Sequence, residues 1–239
     1  MISASQSEFI ERLRAAGQAR YHDRHPFHAR MHDGALSRAE LALWALNRYY
    51  YQTRIPIKDA LIVAKSEDPS FRRRWIHRIA DHDGVAEGDG GLALWRRLAM
   101  ALGVKEGDLD DPGAILPGVR RACDSYVELV RSATLLEAVA ASLTEFFAPA
   151  LMRQRLASWQ KHYRWVPHEA LEYFRIRIQR AEEDAAGALE LVIALATTPE
   201  LEQRATVALV KKADLLWQML DAIQGAADAN EVSHASPPQ

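Results

Sequence analysis

Four histidines lie close together near the start of the chain, at spacings of three and four residues: His22, His25, His28 and His32. Imidazole exchanges protons near neutral pH and binds metals and haem iron, so these residues could do acid–base chemistry or hold a metal or haem. Pro26 stands among them, and proline interrupts a helix because it lacks a backbone N–H. We therefore expect most of these histidines to form caps or hydrogen bonds, with a bound metal or haem as the alternative.

Cationic and polar side chains interrupt apolar stripes on four separate predicted helices. They are Arg78 and His82 after Phe71 and Trp75, Arg48 and Gln52 beside Trp44 and Tyr51, Arg177 one turn from Tyr173, and Lys212 among Leu209, Leu216, Met219 and Ile223. A buried cation costs several kcal/mol unless it is paired or hydrogen-bonded. The pattern predicts one shared cavity lined by cations, which favours an anionic ligand with several carboxylates or phosphates. In the alternative interpretation, acidic side chains of the protein pair with the arginines and Lys212 extends its amine to solvent.

These side chains must be positioned by helices, because helix signals run along almost the whole chain and no segment alternates as a strand would. Capping boxes are expected at Ser5–Glu8 and Ser37–Glu40, and a helix is expected to start after Pro56. The other expected elements are a helix from Asp68 to His82, a polar loop over 105–113, helices over 134–147 and 149–163, a helix bent or broken near Arg180, and a last helix from Pro199 to about Gln224. We predict an all-α, single-domain helical bundle over residues 1–224, with a disordered tail over 225–239.

Composition narrows the function classes. The 239 residues are 49% hydrophobic and 26% charged with a net charge of -2, which favours a folded protein with no nucleic-acid or membrane partner. A single cysteine, Cys123, excludes an internal disulfide and a cysteine-cluster metal site. The N-terminus has no secretory signal pattern, and the apolar stretch over 189–196 is too short to span a membrane, so we expect a cytoplasmic protein. No phosphate-binding glycine loop, GxSxG elbow or Rossmann fingerprint occurs.

Several ordered sequence blocks resemble the pyrroloquinoline-quinone (PQQ) synthase family over residues 8–224. The blocks are Tyr21-His22 with His25-Pro26, Asn47 to Gln52 followed by Ile55 to Asp59, Arg78 to Gly84, Glu87 to Gly91, Ser142 to Pro149, Tyr173 to Arg177, and Lys212 to Trp217. The resemblance implies an all-helical fold shared with haem oxygenases and TenA proteins, and a homodimer. It also implies an oxidase that closes a ring in a small polycarboxylate quinone precursor and oxidises it with O2, giving PQQ and hydrogen peroxide without a metal or organic cofactor.

The resemblance also implies roles for particular residues. His82 matches the principal acid–base group, with His22 as a further candidate catalytic residue, and Tyr173 and Arg177 match groups around the oxygen and peroxide pocket. The residues expected to bind the substrate carboxylates and quinone oxygens are Tyr21, Arg48, Tyr51, Gln52, Lys58, Arg78, Tyr126, Arg155 and Lys212. An imidazole suits proton transfer near neutral pH, and a fixed guanidinium would stabilise developing superoxide or peroxide charge.

One position departs from the family pattern. Many members carry a histidine three residues after the proline of the Thr-Glu-x-Phe-x-Pro block, whereas this chain has Met152. A thioether cannot move protons, so a role of that histidine in handling oxygen does not transfer here. We expect a subfamily substitution that leaves catalysis to His82, Tyr173 and Arg177, and the alternative is a relative that stalls before full oxidation.

Two rival functions remain open from the sequence. One is a non-catalytic helical protein that binds PQQ or haem. The other is a metal-dependent oxygenase on the same fold, using some of His22, His25, His28 and His82. The only Glu-x-x-His pair of the di-iron type, Glu231 to His234, falls in the predicted tail and supports a di-iron centre weakly.

Overall fold

The computed structural model describes residues 3–235, with backbone only for 231–235, and this part of the chain folds into helices without strands. Its α-helices are α1 (Ala4–Arg20), α2 (Pro26–His32), α3 (Arg38–Val63), α4 (Pro69–Trp75), α5 (His77–Asp83), α6 (Gly90–Ala101), α7 (Glu106–Asp110), α8 (Pro117–Ser132), α9 (Leu135–Ala141), α10 (Ala148–His162), α11 (Glu172–Leu195) and α12 (Pro199–Ala235). Short 3₁₀ helices cover His22–Arg24, Pro112–Ala114, Ser142–Phe147 and His168–Leu171. The predicted all-α class is therefore confirmed.

Helix α3 begins as the sequence predicts and then continues through a proline. Ser37 and Glu40 form the expected capping box at its first turn. Pro56 was expected to begin a new helix at Ile57, but it lies inside α3, which runs unbroken to Val63. A proline within a helix costs about 3 kcal/mol. Pro56 and its neighbour Ile55 are both buried, so packing outweighs that cost.

The helix predicted from Asp68 to His82 is two helices. Asp68 caps α4 as expected, and the chain then breaks at Ile76 before α5. The break leaves the predicted stripe intact, because its residues Phe71, Trp75, Arg78 and His82 are all buried. A glycine-rich turn after α5 leads into α6, and a Cβ at Gly90 would lie 2.4 Å from the nitrogen of Gly84.

The region between α9 and α10 contains a 3₁₀ helix that the sequence did not indicate. The predicted helix over 134–147 ends at Ala141, and Ser142–Phe147 forms six residues of 3₁₀ helix before α10. By length and composition the stretch over 135–162 could cross a membrane, but 61% of its most apolar window is buried inside the fold. That burial is typical of a core element, and it brings Glu145 to the interior.

Four further boundaries differ from the expectations. The first capping box uses Ser3 and Gln6 rather than Ser5 and Glu8, and the predicted loop over 105–113 contains α7. Helix α11 has no break at Arg180. Helix α12 continues to Ala235 rather than ending near Gln224, and Ala227 is buried on it. The predicted disordered tail is therefore wrong over 225–235, and residues 236–239 lie outside the described residues.

One continuous apolar core connects the helices that carry the predicted site. Helix α3 packs against α5, α6 and α8, helix α10 packs against α11, and α12 packs against α1, α8 and α9. Edge-to-face contacts join Trp44, Trp95, Trp159 and Phe174 at the centre. The polar residues of the stripes therefore enter the core from different helices and meet there.

Candidate active site

The structure buries the predicted site residues inside the helical bundle. All of them are less than one-tenth exposed except Arg48, which is half-buried. They come from six helices and one 3₁₀ turn: Tyr21 and His22 at the 3₁₀ turn, Arg48, Tyr51, Gln52 and Lys58 on α3, Arg78 and His82 on α5, Tyr126 on α8, Arg155 on α10, Tyr173 and Arg177 on α11, and Lys212 on α12.

Three carboxylates form an acidic cluster around Arg78: Asp59 and Asp184, which are buried, and Glu145, which is partly buried. The guanidinium of Arg78 donates to both carboxylate oxygens of Glu145 at 2.5 Å. It also lies 3.5 Å from an oxygen of Asp59 and 3.3 Å from an oxygen of Asp184. For Arg78 the structure therefore shows the alternative interpretation, in which acidic side chains of the protein pair with the cation.

The same cluster neutralises two further cations. The amine of Lys58 lies 2.7 Å from Asp59 and donates to the hydroxyl of Ser142 at 3.0 Å. The guanidinium of Arg177 lies 3.6 Å from Asp184. Each ion pair lies almost entirely out of solvent, where an unpartnered charge would be most costly.

Neighbouring cations stabilise the charges of Asp59 and Glu145, whereas burial and then the charge of Glu145 raise the pKa of Asp184. Burial opposes ionisation of Asp59 and Glu145, but nearby cations, chiefly Lys58 and Arg78 respectively, hold the pKa of each carboxyl below its ordinary value. Burial would lower the pKa of Arg78, and the surrounding carboxylates raise it instead. Arg78 is therefore a fixed cation, and its charge is already matched by protein acids.

Three other cations, Arg48, Arg155 and Lys212, form a second group that we call the unpaired cations. Among the described residues none of the three forms an ion pair with a carboxylate. The amine of Lys212 lies over the rings of Tyr126 and Tyr51, 3.8 Å and 4.2 Å from their centroids. The guanidinium of Arg48 covers the Tyr51 ring at 4.0 Å. Lys212 therefore does not extend its amine to solvent, and aromatic faces replace carboxylates around these cations.

The unpaired cations destabilise one another's charge. Burial and then the positive charge of Arg48 lower the pKa of Lys212 well below its ordinary value. Burial and Arg48 also lower the pKa of Arg155 to about 9. Counting Lys58, Arg78 and Arg177, the site holds an excess of three cations over the three carboxylates of the acidic cluster. An anion bound beside the unpaired cations would raise both pKa values and stabilise the charged forms.

His82 presents one basic nitrogen without a partner. Its Nδ1 donates to the backbone carbonyl of Arg78 at 3.2 Å, because a carbonyl can only accept, so Nε2 carries the lone pair. Within residues 3–235 the buried Nε2 has no hydrogen-bond partner. Burial and then the charge of Arg177 lower the pKa of His82 to about 3. His82 is therefore a neutral imidazole with a free proton acceptor.

His22 is buried, and both of its ring nitrogens are unpartnered among the described residues. It stacks on Tyr21 with ring centroids 4.4 Å apart. Burial, and then the charges of Arg48 and Arg155, lower its pKa well below the ordinary value. A neutral imidazole with two free nitrogens can both donate to and accept from a ligand oxygen.

The hydroxyl of Tyr173 connects the site to a surface cleft. It donates to the side-chain oxygen of Gln52 at 2.9 Å, which orients the phenol. A cleft of about 260 Å³ reaches Tyr173 and Arg177 from outside, with Val85 and Ile176 among its lining residues. Val85 and Ile176 are exposed apolar side chains, and the exposed Asp89 and Arg180 also line the cleft, so its outer part is mixed in polarity.

Of the histidines proposed for a metal, His25 and His28 are engaged elsewhere. His25 caps α2 by accepting from the Phe27 amide at 3.1 Å, and its Nε2 contacts Asp221. In the described part of the chain, the one group of three possible metal ligands within 4.8 Å of one another is His77, Asp81 and Asp184. Guanidiniums lie within 3.6 Å of both of its carboxylates and oppose a further cation there.

The sequence analysis missed the acidic cluster as part of the site. Asp59 and Glu145 stand in the quoted blocks, next to Lys58 and Thr144, but no role was assigned to them. Asp184 follows Arg177 by seven residues and stands among Ala181, Ala185 and Ala188, so its position on an apolar stripe was a usable signal. The three carboxylates and Arg78 lie far apart in the sequence, and periodicity cannot indicate that they meet in the fold.

Comparison with known proteins identifies the family of the chain. The sequence profile of the TENA/THI-4/PQQC family matches residues 10–222. The chain belongs to this family. It is 44% identical to the pyrroloquinoline-quinone synthase of Rhizobium rhizogenes over 224 residues, covering 94% of this chain and 91% of the relative. It is 48% identical to the protein of that name from Xanthomonas campestris pv. campestris, covering 90% of this chain and 86% of the relative. The resemblance stated from the motifs is therefore confirmed.

Solved structures of low sequence identity share the fold. A domain of unknown function with a heme oxygenase-like fold from Shewanella denitrificans superposes with a TM-score of 0.76 at 13% identity, covering 98% of this chain and 97% of that one. A TenA homologue from Pseudomonas syringae pv. tomato gives a TM-score of 0.71 at 17% identity, covering 92% of each chain. The predicted haem-oxygenase/TenA-like architecture is thereby confirmed.

Proposed function

We propose that this protein is a pyrroloquinoline-quinone synthase that closes a ring in a small polycarboxylate quinone precursor and oxidises it with O2. The observation that carries the proposal is the excess of three cationic over acidic side chains in the site, together with a neutral histidine that has a free nitrogen. Relatives 44% and 48% identical to the chain bear this name, and the family membership makes an enzyme of PQQ biosynthesis the natural interpretation.

In this proposal the unpaired cations bind the carboxylates of the precursor. Arg48, Arg155 and Lys212 have no protein carboxylate to compete with, so a ligand carboxylate gains a charge-assisted hydrogen bond at each. His22 and Gln52 offer polar atoms to quinone oxygens. The acidic cluster keeps Arg78 and Lys58 in fixed orientations beside this ligand, and their remaining donors complete its contacts.

His82 is the proposed proton acceptor. Its Nε2 removes a proton from the bound precursor, and the resulting electron-rich anion passes electrons to O2 without a metal or organic cofactor. Each two-electron step leaves the precursor oxidised and reduces one O2, with two protons, to hydrogen peroxide. Tyr173 and Arg177 stabilise the negative charge that develops on the reduced oxygen, and the closed interior keeps water from these intermediates.

Met152 is proposed as a neutral substitution for the usual histidine. It is buried on α10, and its sulfur lies 4.0 Å from a nitrogen of Arg155. A thioether fills the space without a proton to transfer, so proton movement remains with His82 and the groups near Tyr173. If this is correct, the enzyme completes the oxidation and does not stop at a quinol.

The proposal includes a homodimer in the cytoplasm, with neither nucleic acid nor membrane as a partner. The net charge of -2 and the single cysteine support that setting. The rival functions, a non-catalytic PQQ- or haem-binding protein and a metal-dependent oxygenase on this fold, are not favoured, because neither the relatives' names nor the histidine contacts support them.

The decisive experiment loads the purified protein with the precursor without oxygen and then adds a pulse of O2. We expect PQQ to form, with oxygen uptake and hydrogen peroxide release in fixed proportion. Accumulation of a quinol without PQQ would contradict the assignment of Met152. A haem Soret band, or turnover that disappears on metal chelation and returns with metal, would instead support a rival function.

A further inference from the structure

His28 lies between two polar groups of the site and uses both of its ring nitrogens. It is buried on α2, with only 2% of its surface exposed. Its Nδ1 lies 3.0 Å from the backbone carbonyl of His22, and its Nε2 lies 3.1 Å from a terminal nitrogen of Arg155. The ring also packs edge-on against His22 at 4.9 Å between centroids.

These contacts fix the protonation state of His28. A carbonyl oxygen only accepts, so Nδ1 carries the hydrogen. A guanidinium only donates, so Nε2 must carry the lone pair. His28 is therefore neutral, and burial together with the charge of Arg155 lowers its pKa well below the ordinary value.

Arg155 has no other fixed acceptor among the described side chains except the sulfur of Met152 at 4.0 Å. Its remaining surroundings are the rings of Trp44 and Phe174, 5.0 Å and 5.6 Å from the guanidinium carbon. The Nε hydrogen of Arg155 has no partner within the described structure. The neutral ring of His28 is thus the group that sets the direction of this guanidinium.

We infer that His28 is a positioning residue that orients Arg155 for an anionic ligand while leaving its charge unmatched. Arg78 is the contrasting case, because Glu145 also orients its guanidinium through hydrogen bonds but cancels its charge. A neutral acceptor fixes orientation without this cancellation. The consequence for a polycarboxylate ligand rests on the proposed function, whereas the hydrogen bond itself does not.

Three substitutions at His28 distinguish the effect of orienting Arg155 from the effect of cancelling its charge. His28→Gln keeps a neutral acceptor near the position of Nε2, His28→Glu supplies an acceptor that carries a negative charge, and His28→Leu supplies no acceptor. The matched control is His32→Gln, one helical turn further along α2, where the ring has no hydrogen bond to Arg155. Urea unfolding of every variant measures the structural effect separately from binding.

The first readout is equilibrium binding of PQQ at two salt concentrations. We expect His28→Gln and His32→Gln to bind within about threefold of the unsubstituted protein, and His28→Glu and His28→Leu to bind about tenfold more weakly or worse. Only His28→Glu should also weaken the salt dependence, because it removes an effective charge. Binding by His28→Glu as tight as that of the unsubstituted protein would overturn the inference, as would losses that follow unfolding stability alone.

The second readout is the ¹⁵N spectrum of the histidine rings in the ligand-free protein, assigned through His28→Gln. We expect His28 to be neutral with hydrogen on Nδ1 and a hydrogen-bonded lone pair on Nε2. The opposite tautomer or a charged ring would overturn the inference. If the unsubstituted protein does not bind PQQ, the proposed function fails, and this spectrum still decides whether His28 orients Arg155.

Discussion

At the scale of single residues, replacement by methionine should change the free energy of unfolding in opposite directions for an unpaired cation and for a cation of the acidic cluster. Replacing Lys212 by methionine removes a buried amine that no carboxylate matches, while the methyl group can pack on Tyr51 and Tyr126. We expect Lys212→Met to raise the free energy of unfolding by about 1 kcal/mol or more and to weaken PQQ binding at least about tenfold. Urea unfolding and a binding titration measure the two effects. A loss of stability together with unchanged binding would contradict the role of an unpaired cation.

The matched substitution in the acidic cluster is Arg78→Met. It leaves the buried Asp59 and Asp184 and the partly buried Glu145 without their shared guanidinium. Breaking a buried ion pair from one side costs about 3–5 kcal/mol, so we expect a much larger loss of stability than at Lys212. Urea unfolding compares the two variants directly, and equal stability of both would contradict the division of cations into two groups.

The free nitrogen of His82 predicts a selective loss of turnover. His82→Asn keeps a donor for the carbonyl of Arg78 but has no base at the position of Nε2. We expect kcat to fall by about 10²–10⁴ while PQQ binding changes by less than about threefold, because general base catalysis contributes roughly that factor. Single-turnover kinetics and a binding titration separate the two. Binding lost in parallel with turnover would assign His82 to ligand binding instead.

The cations of the site could be predicted from sequence because each one breaks a local apolar periodicity, as Lys212 does on α12. The acidic partners could not be predicted in the same way. Asp59, Glu145 and Asp184 stand on three different elements, and their meeting at Arg78 depends on how α3, α5, α11 and a 3₁₀ helix pack. Pairing across such sequence distances leaves no periodic trace.

At the scale of elements, the turn between α5 and α6 controls where His82 lies. Gly88 and Gly90 both have positive φ, but a Cβ at Gly88 would meet nothing within 4 Å, whereas one at Gly90 would lie 2.7 Å from the carbonyl oxygen of His82. We expect Gly88→Ala to cost about 1 kcal/mol from backbone strain alone, and Gly90→Ala to cost clearly more and to lower kcat. Urea unfolding measures the loss of stability and turnover assays measure kcat. Equal effects of the two substitutions would contradict a specific role of Gly90.

Two of the helix boundaries that were wrong share one cause. Pro56 within α3 and the break at Ile76 both follow packing rather than local preference, since the buried faces remain continuous in each case. Local signals predicted starts well where a side chain caps the helix, as at Ser37 and Asp68. They predicted ends and interruptions poorly, because tertiary contacts decide how far a helix continues.

At the scale of the whole molecule, the buried histidines make stability depend on pH. Burial lowers the pKa of His22, His28 and His82, and lowers that of His32 to about 4. The unfolded chain therefore takes up protons below about pH 6.5 that the folded protein does not, so stability is full above that pH and falls below it. We expect the free energy of unfolding to drop by at least about 2 kcal/mol between pH 7.5 and pH 5. A midpoint of urea unfolding that does not change over this pH range would contradict the predicted pH dependence.

The excess of three cationic over acidic side chains in the site has a consequence outside it. The formal charge of the chain is -2, so the remainder of the molecule carries a formal charge of -5 and presents an acidic exterior to an acidic ligand. Long-range repulsion between the acidic exterior and the acidic ligand should therefore slow their first encounter. Attraction by the cations of the site should act only after the ligand has passed the surface. We expect the association rate constant for PQQ in stopped-flow experiments to rise with ionic strength. A fall would indicate that the ligand is steered towards the protein from a distance.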